Sequence, residues 1–266
     1  LLEVCSELVA GEDFHVGFSP ERIDPGNKRW GFDNTPKLVS GLPSQCLRQA
    51  VAFYQSITQE VVPAHTLEEA ELAKVFENTY RQVNIALVNE LQRHAHRLGT
   101  DVYNVLDLCA TKPFGFTKFT PGPGVGGHCI PCDPVYLTHH LRTEHGTSFR
   151  MVELAQEINE GQPAYVVQRL QDALNDRLGK ALRGARILAL GLSYKAGTAD
   201  VRESPAAEVV TRLRGKGAYV DTVDPHVEIG QFPGHHLEVG EPADYDAGVL
   251  LTVHDEFDLA KIADKS

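Results

Sequence analysis

The sequence predicts an α/β protein with a helical middle, and three observations carry that prediction. Short apolar runs bounded by Gly, Pro and Ser alternate with helix-length segments at both ends of the chain, the texture of strand–helix–strand units on a parallel sheet. Between them, residues 66 to about 178 carry long stretches of helical periodicity and little strand signal. Residues 121–134 crowd together four glycines and four prolines. Proline lacks a donor and glycine is entropically costly inside regular elements, so that stretch is a shaped loop whose backbone passes close to something.

In chain order, residues 1–10 read as the end of a helix with Leu1, Val4 and Leu8 on one face. Phe14–Phe18 alternates as a strand, Lys37–Ser40 is another, Pro43–Ser56 is a helix, and Val61–Val62 closes a further strand. This is the tail of a parallel-sheet domain in which no G-x-G-x-x-G turn occurs. Thr66 is an N-cap followed by acids in the first turn, and helical periodicity then runs to about Leu98 and stops at Gly99. Its apolar positions are wider than one face, which predicts a bundle or a subunit interface. Lys74 and Asn78, four residues apart, share one side of it. Asp101–Cys109 is a second helix, Pro134–Thr143 a third, and Phe149 to about Leu178 a fourth, which Pro163 either kinks or divides. From Gly184 the strand texture returns. Arg186–Gly191 is a buried strand, Ser204-Pro205 a cap with proline at the first helical position, and Ala206–Gly217 a helix. Ala218–Val223 and Ala247–Thr252 are further buried strands. That is a second doubly wound domain. It has an acid, Asp224, after its second strand, but Gly191-Leu192-Ser193 lacks the dinucleotide fingerprint.

Composition narrows the function. At 266 residues, with 42% hydrophobic and 23% charged residues, the chain is an ordinary soluble globular protein with room for two cores. A net charge of -11 argues against a nucleic-acid partner, whose affinity comes from Lys and Arg neutralising phosphates, although a few placed cations and amides still suffice for one diphosphate. Five scattered cysteines do not form a disulfide framework, and a reducing cytoplasmic compartment is expected. No apolar run approaches the roughly 18 residues of a membrane helix, so no membrane partner is expected. Leu1–Glu7 is too acidic for a signal peptide. The chain opens on Leu in mid-helix pattern and reads as a fragment, its C-terminus also cut short.

Cys129 stands at the end of the glycine–proline loop, with Asp133 and the start of a helix just after it. A helix N-terminus favours the thiolate, so a nucleophilic cysteine fits the position. A buried small residue fits it too, and Cys129-x-x-Cys132 with His128, His139 and His140 has the spacing of a redox pair or half a zinc site, although no second pair completes four ligands. By themselves, Lys74 reads as a solvated helix charge and Glu21 as a turn carboxylate.

Gly-Val-Gly-Gly-His-Cys-Ile-Pro-x-Asp-Pro (124–134) resembles the active-site cysteine motif of the UDP-glucose/GDP-mannose dehydrogenase superfamily. Lys112-Pro113-Phe114-Gly115-Phe116, Ser19-Pro20-Glu21-Arg22-Ile23-Asp24-Pro25-Gly26-Asn27 and Glu71-Leu72-Ala73-Lys74-x-x-x-Asn78 are similar to its UDP-N-acetylglucosamine and UDP-N-acetylmannosamine 6-dehydrogenase branch. The resemblance implies an α/β fold in three parts. Residues 1–65 would be the latter part of a Rossmann-like NAD-binding domain, and residues 66–147 a central helical dimerisation and catalytic-loop domain. Residues 148–183 would be a long connecting helix, and residues 184–266 a Rossmann-like UDP-binding domain.

It also implies a reaction: oxidation of C6 of a UDP-sugar to a carboxylate with two NAD in succession. This needs a base, stabilisation of an alkoxide, a nucleophile for the aldehyde and a water. Cys129 would form a thiohemiacetal and then a thioester. Lys74 would stabilise the oxyanion, Asn78 would hold a water or the same oxygen, Glu21 would work through water as acid and base, and Asp133 would orient that water. Arg22 and the Thr120, Pro121, Gly122, Pro123, Gly124, Val125 and Gly126 segment would meet the sugar. Tyr194 and Lys195 would hold the nucleotide, and Arg202, with Cys129, would face NAD. A homodimer through the helical domain is implied, and no metal. Two positions depart from the pattern: Pro25 stands where glucose-type relatives have glutamate, and Cys132 has no counterpart role. Three other outcomes stay open: a UDP-glucose or GDP-mannose enzyme, a Cys/His thiol or metal module, and a folded remnant without turnover. Lys74 and Glu21 separate the first from the second, since a zinc site ignores them.

Overall fold

The computed structural model describes residues 7–24, 26–128, 130–236 and 245–260. It divides into two compact units, residues 1–78 and residues 79–266.

In the first unit, β1 (Gly17–Phe18), β2 (Lys37–Gly41) and β3 (Val61–Pro63) form one sheet in that order, with α1 (Ser44–Gln55) between β2 and β3 in the chain. The β2–β3 pair is parallel, Leu38 opposite Val62, as the α-crossover demands. β1 is antiparallel to β2, with Gly17 opposite Gly41. The described residues of 19–36 carry Pro20, Gly31 and Pro36 and contain no helix, so the chain doubles back instead of crossing over. The predicted helix over 1–10 is not found in its described part. Residues 1–6 lie outside the described residues; beyond them Val9 donates to the Asp13 carboxylate at 2.8 Å and Ala10 bridges to Phe14, which also shortens the predicted 14–18 strand to two residues.

α2 (Leu67–Arg97) opens with a reciprocal cap. Glu69 N–H donates to Thr66 Oγ1 at 3.0 Å while the Glu69 carboxylate accepts from Thr66 N–H at 3.3 Å and His65 N–H at 3.0 Å. α3 (Val102–Ala110) is capped by the Asp101 carboxylate, which accepts from Tyr103 N–H. Val88 and Ala95 pack with Val102, Leu106 and Phe119. α4 (Asp133–His145) follows the glycine–proline loop. The predicted helix over 149–178 is two helices, α5 (Arg150–Glu160) and α6 (Gln162–Leu178), meeting at Gly161. The cause is Pro163, which has no N–H to give the Asn159 carbonyl.

The C-terminal sheet is β4 (Arg186–Leu190), β5 (Tyr219–Val223), β6 (His235–His236) and β7 (Ala247–Leu250), with α7 (Pro205–Gly215) between β4 and β5. All pairs are parallel in the order β6-β5-β4-β7, with Ala189 opposite Thr222 and Val249. Leu174 of α6, Val209, Val210 and Leu213 of α7, and Ile187, Ala189 and Val220 of the sheet form one buried core. Each of the Leu, Ile and Val side chains stabilises by about 1.5–3 kcal/mol through burial. β7 differs from its predicted full burial: among the described residues it lies at an edge of the sheet, and its residues alternate between partly buried and exposed. Among the described residues, no helix is long and apolar enough to cross a membrane.

Candidate active site

The glycine–proline loop is held at its start by buried amides. Asn89 on α2 is fully buried; its side-chain oxygen accepts from Gly122 N–H at 2.9 Å and its amide donates to Asn159 at 2.9 Å. Gln162 at the start of α6, also fully buried, donates to the Gly122 carbonyl at 3.1 Å and accepts from Arg93 at 2.9 and 2.7 Å. Both main-chain groups of Gly122 are therefore spoken for by side chains. None of Asn89, Gln162, Asn159 or Arg93 is singled out by sequence motifs. A cluster of amides at helical spacing looks the same whether it faces water or a loop.

Farther along, the loop presses on the C-terminal domain. A Cβ on Gly126 would stand 2.6 Å from the Glu203 carbonyl, 2.7 Å from Tyr194 Cβ and 2.9 Å from Pro205 Cδ, and one on Gly124 would stand 2.9 Å from Pro205 Cβ and 3.2 Å from the Asn159 carbonyl freed by Pro163. Gly127, at φ +85°, lies under the Tyr194 ring. Glycine is needed there because the backbone approaches closer than any side chain permits. Glu203, whose carbonyl meets Gly126, has φ +50°, a costly conformation for a residue with a side chain. Val125 and Pro131 of the loop border a cleft of about 490 Å³, with Asn159, Glu203, Pro205 and Arg212 on its other walls.

The turn after β4 is closed to phosphate. Leu192 N–H and Ser193 N–H, which would point at a diphosphate in a dinucleotide fold, donate to Asp224 Oδ2 at 2.7 and 2.9 Å. Burial alone would raise the Asp224 pKa, but His254, these amides and His226 N–H hold its carboxyl well below the usual range. The acid after the second strand has turned inward to fill the cradle, so the turn after β4 has no amide left for a diphosphate at Leu192 and Ser193. Ser204 does not cap α7 as the sequence suggested; its hydroxyl donates to the Leu192 carbonyl at 2.6 Å. Tyr194 and Lys195, half-buried, project from the loop this turn begins. Arg202 is exposed and gripped by Asp200 through Nε at 2.9 Å and Nη2 at 2.6 Å. That grip, chiefly the Arg202 side-chain bond, brings the Asp200 pKa down to about 2.

In the first unit, Glu21 is exposed, but its carboxylate accepts from Ile23 N–H at 2.6 Å and lies 3.5 Å from Lys37 Nζ. Partial burial opposes its charge; the Ile23 bond and Lys37 outweigh it and lower the pKa. The Lys37 side chain is only 8% exposed, beneath the Phe32 and Tyr54 rings, so its charge needs Glu21. Sequence reasoning passed over it, because a lysine at the start of a strand reads as a surface residue. Arg22 is committed to Glu77 through Nε and Nη2 (3.2 and 2.6 Å) and to the Pro36 carbonyl at 2.7 Å. Lys74 and Asn78 are half-buried on α2.

Cys129 lies outside the described residues. Asp133 is the first residue of α4, half-buried, and Cys132, also half-buried, precedes it. Thr120 is exposed and Pro121 buried; Gly122, Pro123, Gly124, Val125 and Gly126 are half-buried. Among the described residues, His128, Cys132, His139 and His140 do not gather into a metal-holding group; the group with such spacing is His226, His254 and Glu256. Both ring nitrogens of His254 are engaged, with Gly197 N–H on Nδ1 and Asp224 and Ser193 on Nε2, so no lone pair is left for a cation.

A parallel C-terminal sheet, a helical middle and a glycine loop clamped between them form the architecture, and the chain belongs to the UDP-glucose/GDP-mannose dehydrogenase family. Residues 68–161 match its central domain and residues 188–265 its UDP-binding domain. The relatives it resembles are more particular. It is 38% identical over 262 residues to the UDP-N-acetyl-D-glucosamine 6-dehydrogenase of Pseudomonas aeruginosa, covering 97% of this chain and 61% of that protein. It is 36% identical over 258 residues to the UDP-N-acetyl-D-mannosamine dehydrogenase of Pyrococcus horikoshii, covering 97% and 59%. The solved structure of the UDP-D-ManNAc dehydrogenase from Pyrococcus horikoshii superposes with a TM-score of 0.85 at 32% identity, over 99% of this chain and 62% of that one. The chain thus spans about three fifths of the length of these relatives.

Proposed function

We propose that this chain supplies the sugar-nucleotide site and the nucleophile of an NAD-dependent 6-dehydrogenase that oxidises a UDP-N-acetylhexosamine to its uronate. The observation that carries the reading is the contact of Gly124, Gly126 and Gly127 with Tyr194, Glu203 and Pro205. It supports one pocket wall made from the nucleotide loop and the loop that ends at Cys129.

In this reading Tyr194 and Lys195 hold the UDP half and the Thr120–Gly126 backbone faces the sugar, while Arg22 reaches it only by giving up Glu77. The thiolate of Cys129 adds to the C6 aldehyde to give a thiohemiacetal, whose oxidation leaves a thioester for water to open. Lys74 offsets the charge on the C6 oxygen and Asn78 fixes that oxygen or the water. Glu21, kept ionised by Ile23 N–H and Lys37, takes the proton of the attacking water, and Asp133 orients it. Two NAD molecules, bound in succession, would each accept one hydride. Of the described residues, Arg202 is the one offered to NAD, and the Gly191–Ser193 turn is not. The partner in solution is a second copy, joined through the helical domain, where Leu87, Leu91 and Leu98 are left exposed.

The test is stoichiometry and substrate choice in the intact protein. Two NADH per sugar are expected, with UDP-GlcNAc or UDP-ManNAc preferred to UDP-glucose, and Cys129→Ser should abolish turnover while UDP still binds. One NADH per sugar, or full activity in the serine variant, would overturn the mechanism.

A further inference from the structure

We infer that His254, with Ser193, is a positioning residue for the Tyr194–Lys195 loop and so sets how tightly the protein grips the UDP half of its substrate. The inference rests on the reading above for what the loop binds, but its geometry is independent of that reading.

His254 follows β7 and is 1% exposed. Gly197 N–H donates to its Nδ1 at 3.2 Å, which leaves the ring proton on Nε2, 3.0 Å from Asp224 Oδ2 and 3.1 Å from Ser193 Oγ. The Ser193 hydroxyl in turn donates to the Lys195 carbonyl at 3.0 Å, and Thr198 Oγ1 donates to the same carbonyl at 2.8 Å. The ring therefore ties the far end of the loop, at Gly197, to a carboxylate that already holds the near end, at Leu192 and Ser193. A five-membered ring with an acceptor on one side and a donor on the other fits this span. Neither an apolar side chain nor a cation does, because each would leave a buried group unpaired. The network acts on the main chain of the loop, at the Lys195 carbonyl and Gly197 N–H. It fixes the backbone from which Tyr194 and Lys195 project, and Tyr194 is also the surface on which Gly126 and Gly127 rest. A residue acting in this way changes ground-state grip rather than the chemical step.

The experiment compares His254→Ala, His254→Asn and Ser193→Ala in the intact protein. It measures UDP affinity by calorimetry, KM and kcat for the UDP-sugar, thermal unfolding, and amide exchange of residues 194–198. In His254→Ala, the Kd for UDP and the KM should rise about tenfold with kcat within about threefold, and exchange in 194–198 should accelerate while β4 and β5 stay protected. His254→Asn keeps an acceptor near the Nδ1 position and should recover part of the lost affinity. Ser193→Ala, the mildest change, should raise KM about threefold and decides the matter if His254→Ala does not fold. A fall in melting temperature with unchanged Kd, KM and loop exchange would make the network merely structural and overturn the inference. A wild-type protein that does not bind UDP would instead sink the functional reading, leaving loop exchange to judge the positioning.

Discussion

Gly126→Ala is the substitution whose consequence can be worked most directly from the structure. The added methyl carbon would stand 2.6 Å from the Glu203 carbonyl oxygen and 2.7 Å from Tyr194 Cβ, where ordinary contact begins at 3.4 Å. The loop, or the start of α7, must yield by about 0.8 Å (3.4 less 2.6). Neither neighbour is the loose end of a flexible chain: one is a carbonyl fixed by a strained residue, the other a carbon next to the backbone. Overpacking of this kind costs about 1–3 kcal/mol. If the segment leading to Cys129 carries the nucleophile, as proposed above, a displacement approaching an ångström there should cost about 100-fold in rate. Gly122→Ala is the matched control, since a Cβ there meets nothing within 4 Å and both main-chain bonds of Gly122 survive. The assay is kcat/KM for the UDP-sugar together with thermal unfolding of both variants. Gly126→Ala should lose one to two powers of ten in kcat/KM, and Gly122→Ala should stay within about 0.5 kcal/mol of the parent in stability. Equal behaviour of the two would refute the reasoning that close approach, rather than loop flexibility, requires glycine at position 126.

Three further outcomes are expected. Lys37→Met removes the ammonium that helps hold the Glu21 carboxyl low, so the acid limb of the pH–rate profile should move to higher pH; a shift downward, or none, would show that Glu21 is not the titrating group. The Asp200 carboxyl titrates in the folded protein at about 2, below its ordinary 3.8. Its pairing with Arg202 therefore contributes above the ordinary value and is lost as pH falls through about 2. As Arg202 is exposed and Asp200 only half-buried, Asp200→Asn should cost little, and the gap in melting temperature from the parent should be flat near neutrality and close as the acid range is entered. Asn89→Ala leaves Gly122 N–H and the Asn159 side-chain oxygen without their partner inside the protein, which should cost about 2–3 kcal/mol in urea unfolding; a loss under about 0.5 kcal/mol would mean the loop is held by other means.

What the sequence determined by itself was local. Alternating apolar runs and caps such as Thr66 act within a few residues, so most helices and parallel strands and the existence of a shaped loop at 121–134 could be read directly, though not the break at Gly161 or the absence of helix in residues 7–10. The motif spacing was likewise enough to assign the family. Tertiary structure decided whatever depends on which distant group arrives. Asp224, which could have met a ribose, instead fills the Leu192–Ser193 amides; Lys37 is buried against Glu21; Asn89 and Gln162 hold Gly122; and β7 lies at an edge. A buried carboxylate, lysine or amide has the same one-letter code as an exposed one. Its partner is chosen by the cost of leaving it unpaired away from water, and that cost exists only once the chain has folded around it.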